Sequence, residues 1–172
     1  MRVLGIDPGS ETLGWGVINT DGRAYRLLQY GTVKSSPRDP FPARLLKIGE
    51  GIEEIIERFA PDALSIEEAF YAANVKVALK LGQVRGVVIY VAAKHKLDVN
   101  EYAPRLIKQT VVGYGNAEKH QVQEMMRILL KLPHVPEPHD AADALATAIC
   151  HFHHAESKQR ILAAQAKIKT SR

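Results

Sequence analysis

Residues 4–7 read Leu-Gly-Ile-Asp and residues 64–67 read Leu-Ser-Ile-Glu, so the chain twice ends a short apolar run on a carboxylate. Laid side by side in this phase, two such strands hold Asp7 and Glu67 together at one edge of a sheet. Like charges at that spacing repel, and they stay ionised only beside a cation. Residues 139–146, His-Asp-Ala-Ala-Asp-Ala-Leu-Ala, add Asp140 and Asp143 one helical turn apart on a single face. Four acids from three segments supply the hard oxygen ligands that suit a divalent ion.

Each acid also has a plainer reading. Asp7 ahead of Pro8-Gly9 fits an Asx-type turn, Asp140 fits a helix N-cap, and Asp143 fits an exposed helix position. An N-cap accounts for only one of the two helical acids. Glu67 is followed by Glu68, and residue type alone does not separate them; Glu67 occupies the place in its strand that Asp7 occupies in the first. His139 beside Asp140 reads as a neighbour of the site or as solvent-facing.

The elements that must position these groups are legible from periodicity. Strands are expected over Val3–Asp7, Gly14–Asn19 and Tyr25–Lys34, with Asp21-Gly22 as the hairpin turn, which makes an antiparallel start. Three prolines between Ser35 and Pro42 end that run. Leu45, Leu46, Ile48, Ile52, Ile55, Ile56 and Phe59 then follow helical spacing, and Ala63–Glu67 is the second acid-tipped strand. A long helix is expected over Asn74–Lys96, a strand over Leu97–Tyr102, a short helix from Pro104 and another over Glu118–Leu130. Pro133, Pro136 and Pro138 stiffen the approach to a last helix from Asp140 to about His154, where the helix dipole favours an acid. The expected order is β-β-β-α-β-α-β-α-α-α, an α/β fold.

At 172 residues, 46% hydrophobic and 24% charged, the chain fits one domain with a full core. The single cysteine, Cys150, can form no internal disulfide, which suits a reducing cytoplasmic setting. No signal peptide is read at the N-terminus, and the longest apolar run, 87–93, is far short of the roughly 18 residues of a membrane span. The formal charge is +4. Lys158, Arg160, Lys167, Lys169 and Arg172 against Glu156 place that whole excess in residues 155–172, read as a basic tail beyond a domain of residues 1–154. A basic tail favours polyanions, though many solvated termini look the same.

The strand order and the placement of the acids resemble the RNase H-like superfamily, a mixed five-stranded sheet flanked by helices with its first three strands antiparallel. The strings LGIDPGSETLGWGVI (4–18), IEEAFYAANVKVALKLGQVRGV (66–87), LIKQTVVGYGNAEKHQV (106–122) and HDAADALATAI (139–149) resemble the RuvC family of Holliday-junction resolvases in sequence, order and spacing. The resemblance implies two magnesium ions, replaceable by manganese. Asp7 is then shared by both, Glu67 and Asp140 complete one shell, and Asp143 the other. It implies Lys108 and Lys119 beside the scissile phosphate, Lys76 as a DNA contact, and Phe70 stacked on an unpaired base at the junction centre. Implied partners are a four-way DNA junction, a second copy of the chain meeting it partly through the helix that carries Gly82 and Gly86, and the RuvAB branch-migration complex. Two rivals stand beside this reading: a junction-binding scaffold without catalysis, and a fragment of an actin-like ATPase, whose phosphate-gripping turn Ile-Asp-Pro-Gly-Ser also resembles.

Overall fold

The computed structural model describes residues 1–68 and 74–170, with 156–170 as backbone only. The elements are β1 (Arg2–Asp7), β2 (Thr12–Thr20), β3 (Tyr25–Lys34), α1 (Phe41–Phe59), β4 (Ala63–Glu67), α2 (Val75–Lys94), β5 (Asp98–Tyr102), α3 (Pro104–Val112), α4 (Lys119–Leu129) and α5 (His139–Thr170), in the order that periodicity predicts. They form one mixed sheet in the order β3-β2-β1-β4-β5. β1 and β3 each pair antiparallel with β2, while β4 lies parallel to both β1 and β5.

The period of two along each strand divides the residues between two cores. Leu4, Ile6, Leu13, Trp15, Val17, Leu64 and Ile66 face α1 and α2, where Ile48, Ile52, Val84 and Val88 meet them. Val3 and Ile18 face the other way, onto Leu145 and Ile149 of α5, with α3 and α4 packed outside that helix. Asp7 and Glu67 therefore share the α5 face with Gly5 and Ser65. Register carries the argument to the sheet edge: Gly5 pairs with Ser65 and Ile6 with Ile66, so the next step along both strands is the acid pair.

α5 approaches that face unusually closely. A Cβ at Gly5 would lie 2.0 Å from the Ala144 carbonyl oxygen and 3.0 Å from the Ala148 Cβ. The alanines on this face of α5, Ala141, Ala144 and Ala148, are fully buried. Small residues on both surfaces let backbone meet backbone.

Two extents differ from expectation. The last helix continues to Thr170 instead of ending near His154; residues 155–170 contain no proline or glycine and are rich in alanine, lysine and glutamine, so nothing local stops it. α3 runs on to Val112 before Gly113, at φ 99°, closes it, which takes Val111 and Val112 from the glycine-bearing loop that the sequence leads one to expect over Val111–Asn116. Leu46, counted on the apolar face of α1, is instead exposed. Among the described residues no helix is long and apolar enough to cross a membrane.

Candidate active site

The C-terminal ends of β1 and β4, the N-terminus of α5 and the flank of α3 and α4 meet around a cavity of about 240 Å³. Asp7, Glu67, Asp143, Lys108, Lys119, Pro104, Ile107 and Val122 line it. Each charged group is held by its own element. Asp7 and Glu67 are the last residues of parallel neighbours. Asp140 sits in the first turn of α5 and Asp143 one turn on, the latter facing the cavity. Lys119 is the first residue of α4, whose start is secured by a reciprocal capping box between Glu118 and Gln121. The proline-stiffened segment ahead of α5 is tied to α4 as well, since the buried Gln123 Nε2 donates to the Pro136 carbonyl at 3.1 Å. One helix thus carries Lys119 and anchors the segment that delivers Asp140.

Electrostatics mark this cavity more clearly than size does. A larger groove of about 780 Å³ lies between β3 and α1, but Lys34, Lys47 and Arg58 there are balanced by Glu50 and Glu54. At the acid cluster, burial above all, and then the charges of Glu67, Asp143 and Asp140, push the Asp7 carboxyl up to about 8 against the pull of Lys119. Burial and the charge of Asp143 push Glu67 up to about 7, opposed by a hydrogen bond with Asp7 and by Lys108 and Lys119. Burial also raises Asp143, while Lys119, Lys108 and His139 pull it back. Without a cation, Asp7 and Glu67 hold a proton between them. Two buried carboxylates whose ionisation is opposed near neutral pH, with the acids Asp140 and Asp143 beside them, suit a multivalent cation, so the residues present fit a divalent metal.

The fit is looser than a single-ion chelate. Among the described residues only Glu53, Glu57 and His95 bring three donor atoms within 4.8 Å of one another. In that trio Glu53 is already engaged, because Lys94 Nζ and His95 Nε2 approach the same Glu53 oxygen at 2.7 and 2.9 Å. Asp7 and Glu67 share a hydrogen bond, but no third acid of the cluster joins them within that distance.

Of the residues singled out from sequence, Asp7, Glu67, Asp143, Lys108 and Lys119 converge on the cavity. Asp140 is half-buried beside it and acts on Asp7 and Asp143 through its charge. Glu68 is exposed and outside the lining, whereas Glu67 lines the cavity. Phe70 lies outside the described residues. Lys76 is exposed on the first turn of α2. Lys80 and Arg85 follow Lys76 at helical spacing, which reads equally as a basic stripe or an ordinary exposed face; Arg85 is paired with Glu101, and Lys80 Nζ sits 5.6 Å from the Phe41 ring centre. Cys150 is buried in the α5 core with its thiol pushed up to about 11 by burial, no nucleophile. The apolar lining Pro104, Ile107 and Val122 was not singled out, since helical periodicity marks such residues only as core.

A pH dependence follows. In the metal-free protein Asp7 and Glu67 keep protons up to about 8 and 7, whereas the unfolded chain releases them near the ordinary carboxylate values. The native state therefore binds more protons across that window, and stability falls as pH rises from about 4 to about 8. The expected result is a melting temperature that drops over this range in chelator and recovers with a divalent ion, whose affinity rises about tenfold per pH unit for each proton displaced below pH 7. A metal-free melting temperature flat across the range would contradict it.

Comparison with known proteins agrees with the geometry. The family described as Crossover junction endodeoxyribonuclease RuvC matches residues 3–151. Proteins of that name from Chloroflexus aggregans and Vibrio vulnificus are 49% and 54% identical to this chain, over 93% and 87% of it and 98% and 85% of their own lengths. The solved structure of T. thermophilus RuvC in complex with Holliday junction substrate is 38% identical, with a TM-score of 0.88 over 92% of this chain and 96% of that one. The yeast mitochondrial Holliday junction resolvase Ydc2, at 13% identity and a TM-score of 0.64, shares the fold. With the family match covering nearly the whole sheet and every acid of the cluster, the chain belongs to the RuvC family of crossover junction endodeoxyribonucleases.

Proposed function

We propose that the acid-lined cavity binds the scissile phosphodiester of a four-way DNA junction and hydrolyses it with two magnesium ions, leaving 5′-phosphate and 3′-hydroxyl ends. The observation that carries this reading is the convergence of Asp7, Glu67 and Asp143 with Lys108 and Lys119 on one cavity, at the edge where β1 and β4 end. Asp7 and Glu67, with Asp140 and Asp143 on α5, would hold the ions. Their spread beyond single-ion chelation suits a pair about 4 Å apart. When bound, the ions supply an activated water on one side of phosphorus and charge compensation for the leaving oxygen on the other.

The chain's own residues account for the rest. Lys108 and Lys119 present ammonium groups to the non-bridging phosphate oxygens, and Lys119 offsets the negative charge that grows there in the transition state. Ile107, Val122 and Pro104 limit water on that flank, which strengthens the lysine–phosphate interaction. Lys119→Ala is expected to slow single-turnover cleavage by roughly 10²-fold or more while weakening junction binding only a few-fold. Equal losses in rate and affinity would reduce Lys119 to an ordinary phosphate contact.

Lys76 and Phe70 belong to this reading as DNA contacts, with Phe70 stacking on a displaced base, worth roughly 1–3 kcal/mol. The partner is a second copy of the chain. A four-way junction has two-fold symmetry, so a two-fold dimer sets one cavity against each of two opposed strands, and paired nicks follow. On α2 the apolar Val75, Leu79 and Tyr90 are exposed, and a Cβ at Gly82 or Gly86 would meet nothing within 4 Å. Folding of one chain thus makes no demand for glycine there, whereas close helix approach does. The double substitution Gly82→Leu with Gly86→Leu is expected to keep the circular dichroism of the native chain, sediment as a monomer and give single nicks. A dimer that persists would move the interface elsewhere. Docking of the RuvAB branch-migration complex is part of the same proposal.

The test of the whole is a synthetic four-way junction incubated with the protein, with and without magnesium. Symmetrically nicked duplexes that seal with ligase support the enzyme. A retarded but intact junction supports the scaffold instead.

A further inference from the structure

Between the end of β1 at Asp7 and the start of β2 at Thr12, residues 8–11 lie outside the strands, beyond the last cross-strand pair of Asp7 with Gly14. This turn carries the backbone away from the most strongly repelled acid of the cluster. It is held from outside the sheet. The Ser35 backbone N–H donates to the Glu11 carbonyl at 2.9 Å, and the Ser35 hydroxyl donates to the Ser10 carbonyl at 2.9 Å. Arg44, from the first turn of α1, completes the hold: its Nη2 donates to the same Ser10 carbonyl and its Nε to the Ser35 hydroxyl at 3.3 Å.

Arg44 is an odd residue to find there. It is only 5% exposed, its guanidinium lies 5.6 Å from the Phe41 ring centre, and none of the ion pairs among the described residues includes it. Burying a guanidinium against neutral acceptors costs several kcal/mol, so packing alone is a poor reason to keep it. The main charges acting on Asp7 are those of Glu67, Asp143, Asp140 and Lys119, not that of Arg44. What the planar fork supplies is two donors in fixed directions, one to the turn and one to the serine that also grips the turn.

We propose that Arg44 is a positioning residue for junction cleavage. By fixing the Ser10 carbonyl it holds the turn next to Asp7, so that Asp7 keeps its place against the repulsion of Glu67, Asp143 and Asp140 and is ready for the ions without rearrangement. The inference rests on the reading of Asp7 as a metal ligand. Being buried, Arg44 makes no DNA contact, so its removal acts on ion affinity and turnover and spares junction binding.

The test compares wild type with Arg44→Met, Arg44→Lys and Ser35→Ala, each at a temperature where circular dichroism shows it folded. Manganese binding to the DNA-free protein is measured by calorimetry, the magnesium dependence of cleavage by titration, and junction affinity in calcium by gel shift. Arg44→Met is expected to lose roughly tenfold to a hundredfold in manganese affinity, the usual effect of removing a group that orients a metal ligand. Its half-maximal magnesium concentration should rise in step while junction affinity stays within about twofold. Arg44→Lys keeps the charge but not the two-pronged contact, and should recover only part of the loss. Ser35→Ala should shift in the same direction by less. Folded variants with wild-type manganese affinity and magnesium dependence would overturn the proposal, and so would full recovery by lysine, which would make charge the relevant property. If Arg44→Met does not fold, Arg44→Lys and Ser35→Ala decide by the same criteria. Failure of the underlying reading looks different: wild type itself would bind no manganese, or Asp7→Asn would bind it undiminished.

Discussion

Asp7→Asn is expected to abolish junction cleavage, by a factor on the order of 10³ or more, with junction affinity nearly unchanged. A thousandfold corresponds to about 4 kcal/mol of transition-state stabilisation, the scale on which preorganised charge works in a site shielded from water. The substitution preserves shape and the neighbouring lysines and removes only the negative charge that a cation needs. Affinity survives because the basic groups that meet phosphate, Lys108 and Lys119, are untouched. The same change should stabilise the metal-free protein above neutral pH. Burial and three neighbouring acids oppose ionisation of Asp7, so an amide there removes a charge that the fold tolerates only with help. A rise in the chelator-treated melting temperature at pH 8, alongside lost cleavage, is the paired signature to look for. Cleavage and stability falling together would indicate misfolding and would leave Asp7 without its assigned role.

The second large effect comes from a residue with no chemistry of its own. Gly14 pairs with Asp7 across the β1–β2 ladder, and a Cβ on it would lie 1.9 Å from the Asp140 carbonyl oxygen, 2.3 Å from its carbon and 3.0 Å from the Ala141 nitrogen. All three are backbone atoms in the first turn of a long helix, with no flexible side chain to step aside. Gly14→Ala therefore forces either the strand or the start of α5 to move, at a cost of about 3 kcal/mol or more. The movement that relieves the clash lifts Asp140 and Asp143 away from Asp7. We expect a clearly lowered melting temperature, and at temperatures where the variant is still folded, cleavage reduced far more than junction binding. Wild-type stability with wild-type cleavage would show that this close approach is not what places the helix.

Much of this site is readable from the chain because each acid terminates or opens a regular element. A period of two ending at Asp7 and again at Glu67, and two acids at i, i+3 after a proline-rich segment, are local patterns that survive without coordinates. The same holds for the element order, every member of which appears where periodicity expects it. Local pattern fails where the deciding fact is an absence or a distant partner. Continuation of α5 to Thr170 depends on nothing interrupting it, and Lys80 and Arg85 are engaged by Phe41 and Glu101, which lie far from them along the chain. Nothing in the helical pattern marks Arg44, and only the fold shows it buried against the turn after Asp7.

By itself, then, the order of residues determined which side chains are candidates for the chemistry and on what kind of element each one rides, because periodicity and chain breaks act over a few residues. Tertiary structure alone decided which carboxylates face one another, which glutamate of the 67–68 pair turns inward, and how near α5 comes to the sheet. Those outcomes depend on strand register, on the missing side chains of Gly5 and Gly14, and on bonds between residues tens of positions apart. Repulsion among the acids is a property of that assembled geometry.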